Sequence, residues 1–359
     1  MSDVARAAGV SKNTVSLALR GDRRIPAKTR EKIVGIAEKI GYRRNAMVGE
    51  LMAHMRRSRQ SGFQATFAIV NANQDPGAFT RHPTIPAYVE GAERRANELG
   101  YRLDYFWMHD PEMDGKALKR ILHARGIRGV LIVGMMKQNR IPEHFLPVVE
   151  SFPCVVTGVR TRVPALSFAC VDHHMLSLRA FEKAIALNYR RPGLVLDGVI
   201  DRLVDGRFSS GYFISQQSLP ASRRLRPFYN VVEARDDTSL FFQWMEKQKP
   251  DVIFTLYNVV RRWLTDGGWR IPNDIGLIQL EWRRSRPEWA GMNQHNDIVG
   301  EAALDMLVSM VHNRESGIPE FPRATLIGST WVDGKTVKTA KAASPPRDAT
   351  LGRSGKSPQ

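Results

Sequence analysis

Apolar residues in the first forty positions recur at helical spacing in three short stretches. Val4, Ala5 and Ala8 make one apolar face, Gly9 supplies a left-handed stop, and Ser11 stands as N-cap of a second helix expected over Lys12 to Arg20. Within that helix Val15, Ala18 and Leu19 point inward, which leaves Lys12, Asn13 and Ser16 on the outer, N-terminal face. A third helix follows Pro26, with Ile33, Ile36, Ala37 and Ile40 as its stripe and Gly41 closing it. Three stripes that can bury one another, with a tight glycine turn between the first two helices, predict a helix-turn-helix bundle. Beyond it Asn45 can cap a short helix, Ala46 to His54, in which Met47, Leu51 and Met55 fall on one side.

From Ala65 the period changes. ATFAIVNA reads as a buried strand, PAYVEGAERRANELGY as an amphipathic helix, RLDYFWM as a second strand, DGKALKRILHARGI as a second helix and GVLIVGM as a third strand. The alternation resumes with PCVVTGV and VDHHMLSLRAFEKAIALNY, and then with RPGLVLDG, RFSSGYFISQQSL, PFYNVVEA, SLFFQWMEKQ, DVIFTLY, IGLIQLEW and a long final helix in DIVGEAALDMLVSMVHN. Strands alternating with helices give parallel sheets covered on both faces, and two βαβ series in tandem are too many strands for one sheet of ordinary width. The expected fold is therefore an N-terminal all-α helix-turn-helix domain followed by an α/β domain of two Rossmann-like subdomains with a cleft between them.

Charge divides the chain in the same places. Residues 1–62 hold 14 Lys and Arg against 5 Asp and Glu, so +9 of the chain's +17 sits in this short segment. Residues 335–359 carry a further +5 and have the composition of a disordered basic tail without leucine heptads, which leaves the large middle nearly neutral. One nucleic-acid module attached to a body with a different task fits that asymmetry better than a uniformly basic coat protein. A length of 359 residues with 43% hydrophobic content supports two to three units with sizeable cores. The absence of an apolar N-terminal segment or an apolar run of membrane length predicts a cytoplasmic protein with no membrane association. Cys154 and Cys170 both fall in strand-like apolar runs and read as reduced core thiols.

Candidate chemistry is of the binding kind. Lys12 and Asn13, with Ser16, are suited to base edges in a major groove, Lys to guanine and Asn to adenine. In open α/β sheets ligands bind beyond the carboxyl ends of strands, which selects the loop NANQDPGAFTRHPTIP with Asn71, Asn73 and Asp75, then Met135 and Met136, Asp172 with His173, Arg207, Tyr257 with Asn258, and Glu281 with Trp282. Asn, Asp and Arg converging beside an aromatic platform would suit a hydroxylated ligand such as a sugar. His173 and His174 read as an ordinary core and surface pair. No metal-ligand spacing, P-loop or nucleophile elbow occurs, so no cofactor and no enzymatic reaction are expected. A dinucleotide enzyme is disfavoured because NANQDPG stands where a G-x-G-x-x-G would. A cytosolic sugar-binding protein of the same fold would leave the basic module without a purpose.

VARAAGVSKNTVSLAL, then TREKIVGIAEKIGYRRNA, then a short leucine-bearing helix together resemble the LacI/GalR (lactose-repressor) family of bacterial transcription regulators, and the likeness runs through most of residues 3–334. The resemblance implies a homodimeric repressor that binds palindromic operator DNA and responds to a small-molecule effector in a periplasmic-binding-protein-like domain. It implies residues 1–45 as the DNA-binding domain, with Thr14 and Leu17 beside Lys12, Asn13 and Ser16, and 46–62 as a hinge whose Leu51 wedges between base steps, with Arg56 and Arg57 on phosphates. It divides residues 63–334 into one subdomain of about 63–158 plus 294–314 and another of 159–291 plus 320–334. Departures from the family pattern are Leu17 where a polar residue is common, Gly49 and Glu50 in the hinge, and a start so short that few residues precede Asp3. In the core, Glu281 falls where the family has an effector-contacting Asp, Trp282 replaces a second polar position, and Asp172 matches a switch-loop Asp. Arg207 lies near the family's effector arginine, which normally precedes a Gly by three residues, whereas Gly211 is four away.

Overall fold

The structure is a computed structural model, and it describes residues 2–19, 25–40 and 65–339. The chain divides into two compact units, residues 1–64 and 65–359.

In the first unit α1 spans Ser2–Ala8, α2 Lys12–Ala18 and α3 Ala27–Lys39. They bury one another through Val4, Ala5 and Ala8 of α1, Val15 and Ala18 of α2, and Ile33 and Ala37 of α3. Gly9 takes φ 67°, a left-handed conformation that lets the next amide, Val10 N–H, bond back to the Ala5 carbonyl at 3.1 Å and ends α1 within one residue. Ser11 Oγ accepts the Thr14 amide at 3.1 Å and starts α2. The second helix is shorter than its periodicity suggests, with Leu19 already its C-cap. Ile40, placed in the core stripe by its spacing, is 48% exposed because it lies beyond the last turn of α3.

The second unit contains two sheets. β1 (Ala65–Asn71), β2 (Tyr101–Trp107), β3 (Ile127–Val133), β4 (Cys154–Thr157), β5 (Ser167–Val171) and β10 (Ala324–Ile327) form an all-parallel sheet in the order β10-β5-β4-β3-β1-β2. β6 (Pro192–Val195), β7 (Val252–Thr255), β8 (Gly276–Gln279), β9 (Ala290–Asn293) and β11 (Thr330–Val332) form the second, ordered β11-β9-β8-β7-β6, in which only β11 is antiparallel. β4 to β8 are buried along their whole length. That is why they read as unbroken apolar runs: a parallel sheet is covered by helices on both faces.

The chain passes between the sheets three times, at Asp172 after β5, at Gln294 and His295 after β9, and at Gly328 and Ser329 between β10 and β11. The first passage is later than the alternation of elements suggests. The subdomain boundary expected near Gly158 falls at Asp172, because β5 pairs with β4 and stays in the first sheet. The terminal strand expected as one piece near 320–334 is split, with Ala324–Ile327 in the first sheet and Thr330–Val332 in the second. Periodicity identifies strands but carries no information on which sheet a strand joins. PFYNVVEA is not a strand beyond an isolated bridge at Phe228, and a short 3-10 turn follows at Glu233–Arg235.

Ile85–Leu99 (α4) lies directly on Asn296–His312, the last helix among the described residues, and the contact is close because glycines meet backbone. A Cβ on Gly300 would stand 2.0 Å from the Tyr88 carbonyl oxygen, and one on Gly91 1.8 Å from that of Asp297. Gly300→Ala must push the two helices apart, an overpacking cost of about 1–3 kcal/mol. The expected result is a lower melting temperature, by about 2–4 °C per kcal/mol for a domain of this size. Scanning calorimetry of the full chain checks it, and a variant melting with the parent would contradict the close approach.

Candidate functional sites: a helix-turn-helix face and an arginine-rimmed cleft

In the N-terminal unit α2 carries the candidate base-reading positions. The backbone of Lys12, Asn13 and Ser16 is helical, while their side chains lie outside the described residues, as do Leu51, Arg56 and Arg57 altogether. Thr14 is engaged in the cap, its hydroxyl 2.9 Å from Ser11 Oγ. Leu17 is half-buried but is not among the apolar side chains that pack on the three-helix core.

In the core, the segments following β1, β3, β4 and β5 of one sheet and β6, β7, β8 and β9 of the other converge on one cavity of about 580 Å³. That is the place and size expected of a ligand cleft in open α/β sheets. The first lobe contributes His82, Thr84, Tyr88, Met136 and Gly158, and His173 stands just past the first passage, in the second lobe. The second contributes Ile200, Leu203, Val204 and Phe208 after β6, Leu256 to Val259 after β7, and Glu281, Arg283 and Arg286 after β8. Arg235 and Gln294 complete it. A smaller recess of about 280 Å³ shares His82 and Met136 and is lined by Asn73, His109, Met135 and Arg140 among others.

Several of these groups are held in one chemical state by their surroundings. His82 Nδ1 accepts the Thr84 and Ile85 amides at 3.1 and 3.3 Å and so caps α4, which assigns the ring proton to Nε2. Burial, with the nearby Arg283 charge, also lowers its pKa. His173 is buried, its ring 4.5 Å from that of Phe208, and burial together with Arg207 pulls its pKa down to about 3. Its Nδ1 has no hydrogen-bond partner among the described residues. Burial also raises the Tyr88 and Tyr257 phenols, which stay protonated.

Glu281 is saturated by protein partners. Its Oε1 accepts from the Thr84 hydroxyl at 2.8 Å and from Asn296 Nδ2 at 3.2 Å, and its Oε2 pairs with Arg283 at 2.8 Å. Thr84 and Asn296 belong to the first lobe, so this carboxylate is a clasp across the cleft as well as a lining group. Asn258, beside it in the cleft, sits at the start of the helix Val259–Asp266.

The remaining expected ligand residues are directed elsewhere. Asn73 and Met135 line the smaller recess. Asp75 accepts the Gly77 amide and pairs with Arg81, which organises its own loop. Asp172 caps the helix His173–Ala186 by accepting the Met175 amide at 3.1 Å. Arg207 turns from the cleft, its guanidinium donating to the Val204 carbonyl at 2.9 Å and to Cys170 Sγ at 3.2 Å. Trp282 packs on the second lobe's core, with its indole N–H buried and unpartnered. Phe208, Thr84, Arg235, Arg283 and Arg286 are cleft residues that the sequence reading did not single out, whereas Met136, His173 and Tyr257, which it named, do line the cleft. Phe208 was within reach, since it precedes Gly211 by three residues, the spacing of the family's effector arginine.

Among the described residues no helix is long and apolar enough to cross a membrane, and no cluster of His, Cys, Asp and Glu could hold a metal ion. Both cysteines are free and buried.

Residues 1–45 match the family model of bacterial regulatory proteins, lacI family. The chain is 23% identical over 158 residues to the HTH-type transcriptional regulator MalR of Streptococcus pneumoniae, a match spanning 44% of this chain and 45% of that protein. Two solved structures share the fold at 17% identity and cover 98% of the other chain. One is the transcriptional regulator CelR in complex with cellobiose, with a TM-score of 0.57 over 93% of this chain. The other is the lac repressor dimer bound to operator and the anti-inducer ONPF, with 0.55 over 94%.

The depressed His173 pKa adds one acid-sensitive contribution to the stability of the core. Unfolded, the imidazole titrates near its ordinary 6.5; folded, it stays neutral to about 3. Between those values only the unfolded chain binds the proton, so stability is full above the unfolded pKa and is lost as pH falls. At pH 5 this one group should cost about 2 kcal/mol. Denaturant midpoints should therefore drop from neutral to mildly acidic pH, and His173→Asn should flatten that limb. An equally steep acid dependence in the variant would contradict the assignment.

Proposed function

We propose that this chain, whose residues 1–45 match the lacI family model of bacterial regulatory proteins, is a DNA-binding transcriptional repressor acting as a homodimer and controlled by a small molecule in the cleft of its core. The observation that supports this reading best is one chain carrying both a basic helix-turn-helix module and a separate two-lobed α/β unit with a cavity at the strand ends. Two identical modules match a palindromic operator, and α2 is the helix that enters the major groove. Lys12 and Asn13 read base edges there, and Leu17, left out of the bundle core, supplies an apolar contact such as to a thymine methyl. Leu51 wedges the minor groove, and Arg56 and Arg57 hold phosphates. A ligand that prefers one arrangement of the two lobes shifts operator affinity by that preference and no more. The protein works in the cytoplasm, as a sensor and not as a catalyst.

Fluorescence anisotropy with the DNA upstream of the chain's own reading frame tests this. The full chain should bind specifically, and a variant lacking residues 1–62 should not; equal binding by both sinks the proposal. Asn13→Ala and Lys12→Ala should relax discrimination at individual bases, by about 1–3 kcal/mol each. Loss of Arg56 or Arg57 should instead weaken binding to all sequences and reduce the salt slope by about one unit. The opposite pattern would reverse these role assignments.

A further inference from the structure

The cleft's polar groups are of an unusual kind for a receptor of an uncharged sugar. Its charged lining residues are Arg235, Arg283 and Arg286 against the single carboxylate of Glu281. That carboxylate is already engaged, Oε1 accepting from Thr84 and Asn296 and Oε2 from Arg283. Among the described residues neither Arg235 nor Arg286 forms an ion pair. Of the groups on lining residues, Arg283 Nε and His173 Nδ1 are buried without a partner, and His173 is only 6% exposed. Arginine can only donate, and in a partly desolvated recess an uncompensated guanidinium is favourable only when an anion meets it.

The cleft also has an apolar lining. Leu203, Val204 and Phe208 of the segment after β6 contribute to it, with Leu256 and Val259 after β7. Phe208 stands three residues before Gly211, and the one arginine of that turn, Arg207, is directed to Cys170 and the Val204 carbonyl. The hydroxyl rim of a sugar needs acceptors as well as donors around its whole edge. Here the charged groups left without an ion pair among the described residues, Arg235 and Arg286, are donors only, and the side chains of Leu203, Val204, Phe208, Leu256 and Val259 line the same cavity.

We propose that the cleft takes a small organic anion with an apolar body, its carboxylate or phosphate held by Arg235, Arg283 and Arg286 and its aryl or alkyl part against Phe208 and Leu256. This rests on the cleft being the effector site. The anion's oxygens meet the guanidinium forks in bidentate fashion, one of them reaches the buried Arg283 Nε, and His173 Nδ1 offers a neutral contact beside the ring of Phe208.

The test uses the full chain and matched probes. Benzoate, phenylacetate, cinnamate, octanoate and phenyl phosphate are compared with benzyl alcohol, phenylethanol, cinnamyl alcohol and octanol, and with glucose and cellobiose, by thermal shift and then by calorimetry. At least one anion should raise the melting temperature where its matched alcohol does not, and a carboxylate or a phosphate response identifies the charged group. Arg286→Gln should weaken that anion about tenfold or more. Arg235→Gln, at an exposed position where folding is not at stake, should weaken it in the same direction. Alcohols or sugars stabilising as well as the anions, no anion binding at all, or both variants retaining full affinity would each overturn the proposal. Operator binding measured with the same ligands separates this from the broader reading. An anion that binds through the arginines without changing DNA affinity leaves the ligand class standing and refutes the regulatory role. A sugar that changes DNA affinity does the reverse.

Discussion

Three passages of the chain between two parallel sheets are the constraint on which the rest of the core depends. Each leaves from the carboxyl end of a strand, β5, β9 or β10, so each sheet turns those ends toward the other. The cavity is a consequence of that connectivity, because parallel strands gather their following loops at one edge. The passages are also tied to one another. The Asp172 amide donates to the Ile327 carbonyl at 2.9 Å, Arg179 reaches the Ser329 carbonyl at 2.8 Å, and His295 meets the Thr330 hydroxyl at 2.7 Å. His295 takes φ 52°, a left-handed conformation for a non-glycine residue, at the point where the chain returns to the first lobe. A few such positions bear the whole link between the lobes, which is where hinge motion in a ligand-closing fold is absorbed.

Two kinds of interaction then act across the cleft. Glu281 and Arg283 of the second lobe bond to Thr84 and Asn296 of the first, a polar clasp whose partners are mostly shielded. Against it stand arginines with no internal carboxylate and a histidine held neutral by burial. The clasp favours one arrangement of the lobes through satisfied hydrogen bonds; the unmatched donors leave that arrangement open to an anion. The nearly neutral body of residues 63–334 thus gathers three arginines against one carboxylate in the cleft between its lobes.

Much of the fold was legible in the amino-acid pattern, since it depends on local periodicity. The three-helix stripe of Val4, Val15 and Ile33, the Ser11 cap and the Gly9 stop are short-range features, and residues 1–45, which contain them, match the lacI family model. The buried runs of β3, β4 and β7 announced parallel sheets in the same way. What periodicity could not decide was membership: β5 and Ala324–Ile327 joined the first sheet because their edges met β4 and each other there, a long-range pairing with no local signature.

The cleft divides along the same line. Sequence alone pointed to the loops after the strands, and through them to Met136, His173, Tyr257, Asn258 and Glu281 of the cleft. Only the tertiary structure decided which side chains of those loops turn inward. Asp75, Asp172 and Arg207 have the right chemistry, but each is spent on a neighbour, Arg81, the Met175 amide or Cys170, because a polar group near a competent backbone or side-chain partner bonds to it before any ligand arrives. Phe208, Arg235 and Arg286 come together from segments far apart in the chain, and their convergence is a property of the packed lobes, where distance in sequence no longer measures distance in space.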